Sequence, residues 1–230
     1  MSKQNNNGSA KEVVQATRTE FEVARISIKP PNYRVAKIEI RGTAPLVQLQ
    51  FDEKIEEEMR KRQEAGEQSR KGRARQAKDF SALFHRAYYR GPNGEYGIPA
   101  SAFRNAMIDA CRMAGFKMTH AKMSVFIVAD FCDRKGKPLV ALQGGDPEEL
   151  VSGVQNATGV IDLRPRAMWR EWSCIVPVRF NADQFALVDI VNLLSHAGIA
   201  VGIGEGRPFS RNSAGCGWGT FEVVTGTSYR

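Results

Sequence analysis

The chain has 230 residues, of which 42% are hydrophobic, and its 33 lysine and arginine residues outnumber the 25 acidic ones to give a net charge of +8. This length and composition suit one packed domain, and the positive charge favours a polyanionic partner. No apolar run is long enough to cross a membrane, the start MSKQNNNGSA lacks the apolar stretch of a signal peptide, and the four cysteines form no C-x-x-C pair. We therefore expect a cytoplasmic protein with no membrane partner, metal site or cofactor.

Residues 1–32 are expected to form a flexible N-terminal arm, because they are polar and carry too little apolar surface to offset the entropy of folding. A single domain is expected over residues 33–230. It begins with residues 33–41, YRVAKIEIR, whose alternation of apolar and charged side chains predicts a half-buried strand. Pro45 marks the end of this strand, since proline cannot donate a hydrogen bond to a sheet.

A strongly basic segment lies within an insertion predicted at about residues 52–97. Between residues 60 and 78 the sequence has eight cations and only two carboxylates, and Gly66 and Gly72 interrupt any helix there. Two interpretations stay open, a mobile basic flap that covers phosphates or a solvated surface loop. In the first interpretation, the residues that contact phosphates are Arg60, Lys61, Arg62, Arg70, Lys71, Arg73 and Arg75.

The middle of the chain predicts a turn, a helix and a pair of strands. Residues 91–94, GPNG, have the composition of a turn. Ser101 is a suitable N-cap for a helix with an apolar face, which Gly115 ends. Residues 123–131 predict a strand that pairs with residues 137–142.

A second insertion is predicted at about residues 143–171, where basic and aromatic side chains are mixed. Aromatic rings stack on bases and arginines hold phosphates. A second contact with nucleic acid is therefore expected at Arg164, Arg166 and Trp169.

The C-terminal part predicts two further strands around a helix, and then a closing strand. Residues 172–180 predict the first of these strands, and Asn181 is expected to cap the helix. Gly198 is expected to end that helix, and the next strand to start at Ile199. Residues 218–224 predict the closing strand.

Residues 198–219, GIAVGIGEGRPFSRNSAGCGWG, hold seven of the chain's 21 glycines. Glycine accepts a positive φ and lets the backbone approach a ligand, and peptide N–H groups can form concavities that bind anions. One interpretation is a hairpin tip that needs unusual dihedral angles. The other is a loop that lies on a nucleic-acid backbone through Gly202, Gly204, Gly206, Arg207 and Arg211. The spacing matches neither a P-loop nor a dinucleotide-binding fingerprint.

The order of these elements predicts an α+β protein with a ferredoxin-like, or RRM-like, βαββαβ core. The basic insertion falls between the first strand and the first helix of this core. The glycine-rich loop falls before its last strand.

Three stretches stand out together: IEIRGTAPL at residues 38–46, IPASAFRNA at residues 98–106, and residues 202–219 with the strand sequence FEV after them. They resemble the RAMP superfamily, the repeat-associated mysterious proteins of CRISPR effector complexes. Residues 98–106, IPASAFRNA, resemble its I-P-G-S-S-L-[KR]-G helix start, with Ala100 and Asn105 in place of the two glycines. Residues 202–219, followed by the strand sequence FEV, are similar to its glycine-rich loop and last strand. Residues 38–46, IEIRGTAPL, look like the first strand and turn of its backbone subunit.

The resemblance implies a modified RRM-like domain that assembles as repeated subunits, in a helical or filamentous array, along single-stranded RNA, alone or with other effector subunits. The basic insertion would act as a thumb beside the glycine-rich loop, and Arg104 would join the contacts. Short proteins that open this way are common in phage genomes, so a phage-encoded member would act in the host cytoplasm. We therefore expect a nucleic-acid-binding protein without catalysis, with RNA favoured and DNA still open.

Two alternatives remain. Some RAMP proteins are endoribonucleases, and of the three histidines His85, beside Tyr88 and Tyr89, is the candidate catalytic group. The other alternative is a phage-type inhibitor that copies a backbone subunit and binds CRISPR proteins instead of RNA.

Overall fold

The computed structural model of the chain describes residues 28–50, 57, 60–61, 79–155, 161–209 and 215–224. The chain divides into two units, Met1–Pro31 and Asn32–Arg230. Every strand and helix named below lies in the second unit.

Eleven strands and four helices have described bounds, with a π-helical turn, Ala197–Val201, that continues the last helix, and residues 57 and 60–61 are also helical. The strands are β1 (Tyr33–Gly42), β2 (Leu46–Gln48), β3 (Tyr89–Arg90), β4 (Tyr96–Pro99), β5 (Val125–Ile127), β6 (Phe131–Cys132), β7 (Pro138–Ala141), β8 (Glu148–Gln155), β9 (Ile161–Trp169), β10 (Ser173–Asn181) and β11 (Phe221–Val223). The helices are α1 (Phe80–Phe84), α2 (Ala100–Ala110), α3 (Met118–Ser124) and α4 (Leu187–His196).

A four-stranded antiparallel sheet, in the order β11-β1-β10-β5, forms one side of the main core. Strand β1 buries Ala36, Ile38 and Ile40 and exposes the residues between them. Ile38 lies opposite Val176 of β10. The alternation predicted over residues 33–41 is confirmed, because the core covers only one face of this strand.

Helices α2 and α4 form the other side of this core. Phe103 and Met107 of α2 are fully buried, as are Ile190 and Leu194 of α4. Each pair has the i, i+4 spacing that places two side chains on one face of a helix. The rings of Phe103 and Phe221 meet edge to face with their centroids 6.1 Å apart, which ties α2 to strand β11.

Two smaller antiparallel sheets complete the described architecture, one in the order β2-β9-β8 and one in the order β3-β4-β7-β6. The insertion predicted at residues 143–171 contains the β8–β9 hairpin. Gln48, which is 4% exposed, joins the two sheets: its Nε2 donates to Gly97 O at 3.0 Å and its Oε1 accepts from Tyr89 N at 3.3 Å. The protein is therefore α+β with antiparallel sheets, as the sequence indicated.

Both predicted helix caps are wrong. Helix α2 begins at Ala100 with Pro99 at its N-cap, so Ser101 lies inside the first turn. Helix α4 begins at Leu187, and the Asn181 side chain instead accepts a hydrogen bond from the Asp183 N–H at 2.9 Å. Asparagine makes such local turns as readily as it caps helices, so its position in the sequence did not distinguish the two.

The strand predicted from Ile199 is wrong, because Ala197–Val201 is a π-helical turn. Gly198 does not end the helix. A Cβ at Gly198 would lie only 2.1 Å from Phe221 O, so this glycine is needed for the close approach of β11. The strand predicted at residues 123–131 is also shorter than expected, because α3 extends to Ser124.

The turn predicted at residues 91–94 is confirmed, because Gly94 N donates to Gly91 O at 3.1 Å in the turn that joins β3 to β4. The pairing predicted between residues 123–131 and 137–142 is present only at the end of the first segment, where Phe131 of β6 lies opposite Leu139 of β7. Strand β5, which lies within residues 123–131, pairs with β10 instead. None of the helices in the described part of the chain has the length and apolar content that crossing a bilayer would need.

The four cysteines should divide into two pairs by reactivity. Cys111 and Cys174 are buried, and burial raises the pKa of both thiols, whereas Cys132 and Cys216 are exposed. Because the thiolate is the reactive form, we expect dithiobisnitrobenzoate to modify two thiols in the folded protein and four in denaturant. Rapid reaction of all four in the folded protein would contradict this packing.

Candidate functional site

A groove of about 260 Å³ brings the glycine-rich loop together with the start of α2. Gly202, Gly204 and Arg207 line it from the loop, and Ser101 and Asn105 line it from the helix. Strands β2, β3 and β4 contribute further lining residues. The groove therefore collects segments that are far apart in the sequence.

The glycines of the loop are required by its own packing. Gly202, Gly204 and Gly206 have φ values of 70°, 77° and 65°, which side-chain-bearing residues adopt only with strain. A Cβ at Gly204 would lie 2.4 Å from Val47 O, and one at Gly206 would lie 2.5 Å from the ring of Trp218. The unusual dihedral angles and close approaches expected from the sequence are both present, and the approaches are to the protein's own chain.

Several N–H groups of this loop are already used within the protein. Gly202 N donates to Ala197 O at 2.8 Å, and Ile203 N donates to Gly219 O at 3.0 Å. Glu205 N donates to Val47 O at 2.8 Å. These three groups hold the loop in place, so they are not donors for a phosphate.

A lysine and a tyrosine that the sequence did not indicate also line the groove. Lys137 Nζ lies 3.1 Å from Tyr89 Oη and 4.4 Å from the centroid of its ring. A cation held against an aromatic ring loses less conformational freedom when it binds an anion. Arg207 is also fixed, because its Nη1 donates to Gly204 O at 2.8 Å.

The structure describes only two of the basic-segment residues that were predicted to contact phosphates. Arg60 and Lys61 are helical and exposed, and Lys61 Nζ lies 2.8 Å from Glu57 Oε1. The hydrogen bond from Lys61 lowers the pKa of Glu57. The remaining predicted contacts lie outside the described residues: Arg62, Arg70, Lys71, Arg73, Arg75 and Arg211.

Arg104 and Arg164 have different surroundings. The Arg104 guanidinium donates to the carbonyl oxygens of Lys122 and Val125 and lies 5.2 Å from the ring centroid of Phe126. These contacts join α2 to the start of β5. Arg164 is exposed on β9, opposite Ser152 of β8.

Arg166 and Trp169, also predicted as contacts, are buried in the protein. Trp169 is 2% exposed, its Nε1 donates to Gly145 O at 3.0 Å, and its ring packs edge to face against Tyr88 and Tyr96. Arg166 is 7% exposed and donates through Nη1 to Ser152 Oγ. A base cannot stack on a ring that other rings already cover, and a guanidinium buried in the hairpin is not exposed to a phosphate, so neither residue forms part of a nucleic-acid surface in this structure.

His85, the candidate for catalysis, is exposed beside a network of tyrosines. Its Nδ1 lies 3.2 Å from Tyr88 Oη, and this hydroxyl accepts a hydrogen bond from Arg90. The network continues to Tyr96, which donates to Asp146 at 2.6 Å. Burial, and then the hydrogen bond to Asp146, raise the pKa of Tyr96.

Comparison with known proteins does not assign this arrangement to a family. No protein-family model matches the chain, and no curated protein is significantly similar to it. Within the described residues, no three histidine, cysteine, aspartate or glutamate side chains are grouped as metal ligands. The resemblance to the RAMP superfamily therefore stays a prediction, and the residues themselves carry the functional argument.

Two glycines of the loop provide a matched test of its packing. Gly219 and Gly217 both have positive φ, but a Cβ at Gly219 would lie 1.8 Å from Ile203 O, whereas one at Gly217 would meet nothing within 4 Å. We expect Gly217→Ala to cost about 1–2 kcal/mol of unfolding free energy, from the dihedral strain alone. Gly219→Ala should cost more than about 3 kcal/mol. Urea denaturation measures both, and equal losses would contradict the close approach.

Proposed function

We propose that this chain binds single-stranded nucleic acid, RNA in preference to DNA, along the groove, and that copies assemble side by side on the strand. The observation that carries the proposal is the groove itself, where the glycine-rich loop, the start of α2 and the Lys137–Tyr89 pair meet. The net charge of +8 supports a polyanionic ligand. The resemblance to RAMP proteins supports the repeated assembly.

The order of strands in the main sheet supports a ferredoxin-like core. If β1, β5, β10 and β11 are counted as the first to fourth core strands, their order across the sheet is fourth, first, third, second. Helix α2 connects the first to the second core strand, and α4 connects the third to the fourth. This is the alternation that a βαββαβ plan requires, with the smaller sheets inserted into its connections.

The charges of the groove limit what it can hold. Its lining has two cations, Lys137 and Arg207, and two carboxylates, Asp109 and Glu205. Such a balance suits sugars, bases and a single phosphate rather than a row of phosphates. The other phosphate contacts are therefore assigned to the basic segment at residues 60–78.

Removing the positive charge of Lys137 should weaken binding at the groove. We expect Lys137→Gln to lower the affinity for single-stranded RNA and to reduce the slope of log K against log salt by about 0.7, the value for one phosphate contact. Fluorescence anisotropy with labelled oligonucleotides at several salt concentrations measures both quantities. Lys117→Gln removes one exposed charge outside the groove and is the matched control.

The outcomes of this titration separate the parts of the proposal. Failure of the wild-type protein to bind RNA or DNA at low salt would reject nucleic-acid binding altogether. Equal losses in the two lysine variants would keep the binding but remove the groove from it. Parallel titrations with RNA and DNA of the same sequence test the preference for RNA.

Assembly along a strand has its own signature. The number of bound copies should rise in steps as the single-stranded oligonucleotide is lengthened, since each copy covers a fixed stretch of backbone. Mass photometry counts the copies, and a duplex of equal length is the control. One bound copy at every length would contradict assembly while leaving simple binding intact.

A further inference from the structure

A second and larger cleft, of about 500 Å³, lies between two hairpin turns and the end of α1. The β3–β4 turn, residues 91–94, lines it from one hairpin, and residues 133–135 line it from the β6–β7 turn. His85 and Arg86 line it just after α1. Neither the glycine-rich loop nor the start of α2 contributes to this lining, so we call it the cationic cleft and treat it as distinct from the groove.

The lining of the cationic cleft is unusually positive. It includes four cations, Arg86, Arg90, Arg134 and Lys135, but only one carboxylate, Asp133. That carboxylate is held by the backbone of its own turn, since Asp133 Oδ1 accepts from Lys135 N at 2.9 Å and from Lys137 N at 2.8 Å. Two further carboxylates lie just outside the lining, since Glu95 accepts from Asn93 N at 3.1 Å and Asp146 accepts from Tyr96 Oη at 2.6 Å. The lining itself keeps an excess of cations, which favours an anionic ligand in this concave space.

One of these cations is fixed before any ligand arrives. Arg90 Nη2 donates to Tyr88 Oη at 3.0 Å and to Tyr96 Oη at 3.2 Å. The guanidinium also lies over both rings, 4.9 Å and 5.2 Å from their centroids. Both hydrogen bonds use Nη2, and a guanidinium carries further N–H donors on Nε and Nη1. A pre-oriented arginine of this kind binds planar or tetrahedral oxyanions at a reduced entropic cost.

The charge and the volume together indicate the ligand. A phosphomonoester carries close to two negative charges at neutral pH and offers three acceptor oxygens, which suits several converging cations. A volume of about 500 Å³ is within the range of pockets that hold small organic molecules and exceeds what one phosphate ion needs. The ligand should therefore carry an organic group beside its phosphate.

We infer that the cationic cleft binds a phosphomonoester, supplied either as a free mononucleotide or as the terminal phosphate of a nucleic-acid strand. Arg90, Arg134 and Lys135 hold the phosphate, and the β3–β4 turn faces the rest of the ligand. Binding of a free mononucleotide in the cleft does not require binding of nucleic acid in the groove. The inference therefore holds even if the groove binds no nucleic acid.

Calorimetric titration of the full chain tests the site. Adenosine 5′-monophosphate should bind and adenosine should not. The double variant Arg134→Ala/Lys135→Ala should weaken the binding of the monophosphate at least about tenfold, because it removes two charge-assisted contacts. Both residues are exposed and lie in a turn that the backbone hydrogen bonds between residues 133, 136 and 137 define, so the variant should fold. Lys117→Ala/Lys122→Ala removes two exposed charges elsewhere and should bind as the wild type does.

Short oligonucleotides with a 5′-phosphate or a 5′-hydroxyl identify the source of the ligand. Tighter binding of the phosphorylated strand, lost in the Arg134→Ala/Lys135→Ala variant, assigns the cleft to a strand end. Equal binding of the two strands, with the monophosphate still bound, assigns it to the free nucleotide. No binding of the monophosphate, or binding that the double variant leaves unchanged, overturns the inference.

Discussion

Direct contact between backbones at glycine residues holds the groove in its shape. Gly219 N donates to Pro45 O at 2.8 Å, and Gly219 O accepts from Ile203 N at 3.0 Å. The loop reaches strand β2 in the same way, through Glu205 N and Val47 O. A side chain at Gly219 or at Gly204 would occupy the space of a carbonyl oxygen. The position of the groove therefore depends on the absence of Cβ atoms at these crossings.

The parts of the fold that the sequence predicted are those that neighbouring residues decide. Strand β1 was evident because the burial of every second residue produces its own alternation. Gly198 shows the limit of such arguments. A glycine after an apolar helical pattern is typical of a helix terminus, yet the contact that requires glycine here is with Phe221, more than twenty residues further along the chain. No local pattern reports a contact of this range, which is why the π-helical turn was not expected.

The candidate site was harder to predict than the fold, for a related reason. A sequence in which basic residues stand next to an aromatic residue is typical both of a nucleic-acid surface and of an amphipathic strand. Strand β9 is the second case, because Trp169 packs inward against Tyr88. The contact between Lys137 and Tyr89 joins residues that are 48 positions apart, so neither stood out alone. The glycines of the loop were evident because their conformational requirement is intrinsic to the residue, whatever they contact.

The two proposed sites meet at strand β3. Tyr89 lines the groove and Arg90 lines the cationic cleft, and successive residues of a strand point to opposite faces of the sheet. A continuous ligand can reach both faces only by passing around an edge, and β3 is the edge strand in the order β3-β4-β7-β6. A nucleic-acid strand whose nucleotides occupy the groove can therefore pass around β3 and place its terminal phosphate in the cleft. The balanced charges of the groove and the cationic excess of the cleft match this division, because a strand end carries more charge than each of its internal phosphates.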